Sequence, residues 1–147
     1  MITIRSSTAP AVKAYLAEFL SDTRVVELPR WKWWPILHGI ILNTRPAKSA
    51  ERYKIVWTPE GSPLILHSQA IVDRLTERCT DLPVVFYSAM CYGSPSIPSV
   101  MAKIAVTGIK KVLCVPMFAQ YSSHTSAGCV ESVFKVCMKM RDIPALR

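Results

Sequence analysis

The chain has little with which to anchor a metal. Its three histidines (His38, His67, His124) and five cysteines (Cys79, Cys91, Cys114, Cys129, Cys137) show no paired metal-ligand spacing, so no zinc cluster is expected. The odd cysteine count reads as reduced, mostly buried thiols of a cytosolic protein. No apolar run approaches the roughly 20 residues that span a bilayer. No basic segment followed by an apolar stretch and a small-residue cleavage site opens the chain, so no signal peptide is expected. A Gly-rich dinucleotide fingerprint and a phosphate-loop lysine are both missing. So are a nucleophile elbow, a catalytic triad and an RNA-binding signature with clustered aromatics.

What is present is a hydrophobic, basic chain. It has 147 residues, 50% of them hydrophobic, and a net charge of +8. That length suits one domain with a real core, and the apolar content excludes a disordered tail. The charge points to an anionic partner: nucleic acid, a membrane surface or an acidic small molecule. Nucleic acid is not expected, because the basic residues are scattered and 10 acidic ones are interspersed.

The stretch Lys110–Met140 organises the rest. Residues 110–118 form a short, β-branched apolar run, which predicts a strand covered on both faces. After a polar loop, Thr125 can cap a helix with Val130, Val133, Phe134, Cys137 and Met138 on one face. Ligands of parallel α/β sheets bind where a strand gives way to a helix, so Gln120–Thr125 faces a ligand or is an ordinary Ser/Thr-rich capped loop. Upstream, Val84–Met90 predicts another strand. The next helix carries Ile97, Val100, Met101, Ile104 and Ala105 and stops at Gly108. Strand, helix, strand, helix is a right-handed parallel α/β unit.

Residues 1–8 are too short and polar for a convincing buried strand. Ser7 or Thr8 can cap a first helix with Pro10 in its first turn and a stripe of Val12, Tyr15, Leu16, Phe19 and Leu20. In Arg30–Leu42, Trp and Lys flank aliphatic residues. That suits a membrane surface or the lip of an apolar pocket, the alternative being a core helix. Thr44 and Pro46 open another helix, with Ala50, Tyr53 and Trp57 on one side. Arg45, Lys48, Arg52 and Lys54 are either a solvated face or a cradle for carboxylates. Ser62 and Pro63 then start a helix expected to bury Leu64, Ser68, Ile71, Val72 and Leu75, with free amides that favour an anion.

Five pieces carry a family likeness. They are Ala-Val-Lys-Ala-Tyr-Leu-Ala-Glu-Phe-Leu-Ser-Asp (11–22), Trp-Trp-Pro-Ile-Leu-His-Gly-Ile-Ile-Leu (33–42), Tyr53 with Trp-Thr-Pro-Glu-Gly-Ser-Pro-Leu (57–64), Met-Cys-Tyr-Gly-Ser-Pro (90–95) and Pro-Met-Phe-Ala-Gln-Tyr-Ser (116–122). In this order and spacing the chain resembles ferrochelatase, which inserts ferrous iron into protoporphyrin to make haem, and its bacterial branch most closely. The resemblance implies an α/β fold: a three-layer parallel sheet with flanking helices, one Rossmann-like half of a two-domain chelatase, with the first strand missing or replaced. Residues 1–147 then read as a single, incomplete amino-terminal domain, with a missing carboxy-terminal half as a partner. The resemblance implies porphyrin binding by Arg45, Arg52, Tyr53, Ser62, Tyr92, Gln120, Tyr121 and Ser122. It also implies a membrane-facing or pocket lip of Trp33, Trp34, Ile36, Leu37, Ile40 and Ile41. The expected location is the cytoplasm, peripheral on the inner membrane.

The departures bear on activity. Phe118-Ala119-Gln120 replaces the family's Tyr-Pro-Gln-like turn. Ser123 stands where some relatives place a cysteine ligand, so neither an iron–sulfur cluster nor another bound cofactor is expected. The family's catalytic His, in a Ser-x-His-Gly-x-Pro-like motif, and its acidic partner have no match in these residues. No catalytic residue is therefore assigned, and the 147-residue chain alone is expected to be inactive. Another strand is expected to begin only after Ile143–Arg147. The alternative is a non-catalytic remnant that binds porphyrin or acts as an interaction module.

Overall fold

The structure, a computed structural model, describes residues 6–147. Helix α1 (Ala9–Leu20) begins with proline in its first turn, where a fixed φ suits the helix and a missing N–H is no loss. It buries Val12, Tyr15 and Leu20, as the stripe predicts. Helix α2 (Arg30–Ile36), a π-helical turn (Leu37–Ile41) and helix α3 (Leu42–Val56) run on without a break. The expected fresh start at Thr44 and Pro46 is therefore corrected, since Pro46 lies inside α3. Side chains support the carbonyls of the wide turn. Asn43 Nδ2 donates to the His38 and Gly39 carbonyls at 3.0 Å, and Thr44 Oγ1 donates to Ile40 O at 2.9 Å.

α1 packs against α3 and the π turn through two apolar clusters. One gathers Val12, Tyr15, Ala50 and Tyr92. The other gathers Leu20, Leu37 and Leu42. A third cluster joins helix α5 (Ile97–Val106) to helix α6 (Ser126–Cys137) through Val100, Met101, Ile104, Val133 and Cys137. In α5, Ser96 accepts the Ser99 N–H as a true N-cap, and Gly108 provides the left-handed stop at φ 72°. Ala105, expected on the buried face, is exposed.

Two helices differ from expectation. Helix α4 (Pro63–Arg78) buries only Ser68; Leu64, Ile71 and Leu75 stay about 40% exposed. Its stripe is real, but little among the described residues packs on it. α6 carries two adjacent apolar rows. Val133 and Cys137 face α5 and Cys129 meets Cys91, whereas Val130, Phe134 and Met138, read as core, are exposed.

The sheet is much smaller than expected. Strand β1 (Lys111–Val112) pairs in parallel with strand β2 (Ala145–Leu146), and α6 forms the crossover. β2 corrects the expectation that a further strand starts only beyond this sequence. Cys114 N–H extends the pairing to Arg147 O at 2.7 Å. Among the described residues 84–90 form no strand, and regular pairing in 110–118 stops at Val112. From 111 to 118 burial still alternates residue by residue. Val112, Cys114, Pro116 and Phe118 are half-buried, while Leu113, Val115 and Met117 point to solvent. The reading of this run as covered on both faces is therefore corrected. It has the strand period, but cover on one side only. The result is a mixed helix–strand chain with a small parallel sheet. The expected first-strand substitute falls on residues 1–8: residues 6–8 form bends, and 1–5 lie outside the described residues. Among the described residues no helix is long and apolar enough to cross a membrane.

Candidate functional site

The basic residues of α3 divide by helical geometry. Arg45, Lys48 and Arg52 recur at i, i+3 and i+7, so they share one exposed face. Among the described residues neither arginine makes a hydrogen bond or ion pair. Lys54 does, with Glu51 at 2.8 Å, which draws it out of the cradle. Tyr53 sits about 100° further round than Arg52. It packs half-buried against the cluster of Val12, Tyr15, Ala50 and Tyr92. Two of the predicted site residues, Tyr53 and Tyr92, thus meet in one cluster through α1.

The loop between residues 90 and 96 is pinned to the end of α1. Tyr92 OH donates to Asp22 Oδ2 at 2.6 Å, and the Gly93 N–H donates to Glu18 Oε2 at 3.0 Å. Gly93 has φ 85°, a conformation that favours glycine. Burial, then the Asp22 carboxylate, push the Tyr92 phenol well above its ordinary pKa. Phe19 meets the Tyr92 ring edge-on at 5.2 Å.

The second loop is tied to the same place. Arg24 forms an ion pair with Glu131 of α6 and donates to Ser123 O at 3.4 Å. Lys135 first, then Arg24, hold the Glu131 carboxyl below its usual range. Ser122 Oγ lies 2.6 Å from Thr125 Oγ1, whose hydroxyl also reaches Gln120 O at 3.3 Å. Gln120 and Tyr121 are exposed and Ser122 is half-buried. Thr125 stands at the N-cap as expected, but it bonds into the loop instead of capping the helix. Glu18, Asp22 and Arg24 therefore anchor both loops. Sequence reasoning missed this role. Partners such as Glu131, 107 positions away from Arg24, leave no local signal.

The Trp-rich lip splits in two. Leu37 is fully buried, and Trp33 and Ile41 pack beside it, with Trp33 Nε1 donating to Leu20 O at 2.7 Å. Trp34, Ile36 and Ile40 are exposed, together with Trp31. The core reading holds for Leu37, with Trp33 and Ile41 packed against it, and the remaining lip side chains are open to solvent. Ser62 occupies the N-cap of α4 but makes no capping bond. A depression of about 480 Å³ lies between the start of α1 and α3, lined by Ala9, Ala47, Lys48, Glu51 and Lys54 among others. None of the predicted porphyrin residues lines it.

The arrangement offers exposed cations on one face of α3, with Tyr53 half-buried at its flank and Tyr92 buried in the core behind it. Exposed guanidiniums on one helix face can hold carboxylates. The family model for ferrochelatase matches residues 5–147. The ferrochelatase of Nitrosomonas europaea is 49% identical over 144 residues, and that of Dechloromonas aromatica 50% over 144. The ferrochelatase of Chromobacterium violaceum is 44% identical over the same length. Each alignment covers 95% of this chain but only 39% of the relative, so the chain spans about two-fifths of their length.

Proposed function

The chain belongs to the ferrochelatase family, and from that premise we propose that it supplies one wall of a porphyrin cleft. The completed protein would insert ferrous iron into protoporphyrin IX in haem biosynthesis. The observation that carries this reading is the exposed Arg45–Arg52 face of α3, with the half-buried Tyr53 on its flank. Two guanidiniums two turns apart can each grip one propionate bidentately, while the ring rests on aromatic and aliphatic side chains. Gln120, Tyr121 and Ser122, held by Arg24 and Thr125, would border the same wall. Ser62 at the start of α4 would add a hydroxyl to the carboxylate side. Trp34, Ile36 and Ile40 form the lip against a membrane surface, with Trp33, Leu37 and Ile41 bracing it from behind.

Insertion exchanges two pyrrole protons for one metal ion, so it needs a base, a distorted macrocycle and a path for iron. Among the described residues no buried histidine is placed to take the protons. His38, His67 and His124 are all exposed, and His38 stacks on Trp34 at 4.3 Å. The isolated chain is therefore expected to bind porphyrin without metallating it. A non-catalytic porphyrin-binding module is the second reading, favoured by this lack of a buried base.

The test titrates the purified chain with protoporphyrin by fluorescence, for wild type and for Arg45→Ala with Arg52→Ala. Weaker binding in the double variant supports the cleft wall; equal binding sinks it. An assay with ferrous iron should give no haem above the metal-only background. Haem formed by the isolated chain would overturn the inactive assignment.

A further inference from the structure

The sequence reads its five cysteines as reduced, mostly buried thiols, and two of them are brought together by the fold. Cys91 follows Met90 at the start of the pinned loop, and Cys129 lies in the first turn of α6. Their sulfurs stand 2.6 Å apart, across 38 positions of sequence. Cys91 is half-exposed, whereas Cys129 is 6% exposed. Each belongs to a rigid support. The Cys91 loop is fixed by Tyr92 to Asp22 and by Gly93 to Glu18, and the Cys129 helix is fixed by Glu131 to Arg24. The two sulfurs are thus held together by contacts that do not involve them.

We propose that Cys91 and Cys129 form a reversible intramolecular disulfide, made by exchange with a small disulfide such as glutathione disulfide. The Cys91 thiolate attacks one sulfur of glutathione disulfide, which leaves as one glutathione thiolate and a mixed disulfide on Cys91. The Cys129 thiolate then attacks the Cys91 sulfur. It expels the second glutathione and closes the Cys91–Cys129 bond. Two protein thiols are oxidised, one glutathione disulfide is reduced to two thiols, and two protons leave the cysteines.

The order of attack follows from the environments. The hydrogen bond from Cys129 pulls the Cys91 thiol below its ordinary range, and Cys91 is also the more exposed sulfur, so it attacks first. The same contact pushes Cys129 up, which suits a resolving thiol that reacts only once its neighbour is oxidised. Burial, then the charge of Cys91, push Cys114 up as well, so this third nearby thiol is a poor competitor. Among the described residues no cluster of three metal-ligating side chains claims these sulfurs. The bond would fasten the Tyr92 loop to α6, linking the two loops of the candidate site covalently.

The test equilibrates the purified 147-residue chain in glutathione buffers of rising disulfide fraction. Samples are quenched in acid, alkylated and mapped by peptide mass spectrometry. The expected first product is a Cys91–Cys129 cross-linked peptide, with loss of two of the five alkylatable thiols and full recovery in dithiothreitol. In Cys129→Ser the glutathione adduct should stay on Cys91. The same reaction in guanidinium gives the random-pairing reference, so the wild-type map decides even if the variant fails to fold. Three results overturn the proposal: a native map equal to the guanidinium map, first loss at Cys79, Cys114 or Cys137, or no intramolecular bond at any ratio.

Discussion

Asp22 accepts from two directions: the Tyr92 hydroxyl at 2.6 Å and the Arg24 N–H at 2.8 Å. Tyr92 is 7% exposed, so its removal exposes a core position and not only a bond. Tyr92→Phe keeps the ring and deletes the bond, leaving one carboxylate oxygen short of a donor. The expected loss is about 2 kcal/mol in urea unfolding; no loss would mean that water replaces the hydroxyl freely. Glu131 sets a pH dependence of known sign. Its folded pKa is depressed, so its stabilising contribution is present above the ordinary carboxylate range and is lost as pH falls through the folded value. The stability gap between wild type and Glu131→Gln should therefore shrink on acidification through that range. A constant gap would place the effect in packing instead.

Helices were legible where one apolar stripe met one neighbour. α5 buries Ile97, Val100, Met101 and Ile104 as the spacing predicts. Legibility failed where a stripe was too wide for the cover at hand. α6 has two rows, and periodicity alone cannot say which one faces α5. The Trp-rich segment failed in the same way, with buried and exposed apolar residues interleaved. Its two halves separate under mutation. Leu37→Ala should cost about 2–5 kcal/mol as a cavity in a fully buried site. Trp34→Ala, 61% exposed, should change stability by no more than about 0.5 kcal/mol. If the lip touches lipid, Trp34→Ala should also weaken flotation with anionic vesicles. Equal costs for the two variants would remove the division between core and lip. Of the candidate site, the Arg45–Arg52 face was readable because helical spacing alone defines it. The loop anchors were not, because Arg24 and Glu131 meet only in the folded chain.

Over the whole molecule, apolar surface is left open in several places: Leu113, Val115 and Met117 beyond β1, Phe134 and Met138 on α6, and the α4 stripe. Strand-like runs that keep the alternation but lack partners are prone to pair with other chains. The isolated chain is therefore expected to bind a hydrophobic dye strongly and to self-associate as its concentration rises. A chain that stays monomeric across that range and binds no dye would contradict this. The ion pair of Arg24 with Glu131 adds a consequence in time. It closes 107 positions of sequence, whereas α1 meets α3 across a few tens. On a ribosome adding roughly 5–20 residues per second, α1 and α3 can dock on the order of ten seconds before Glu131 is made. The anchors for both loops thus wait, already ordered, for the residues they hold. An interruption of synthesis in that interval would leave a helical hairpin whose connecting segment carries an unanswered arginine.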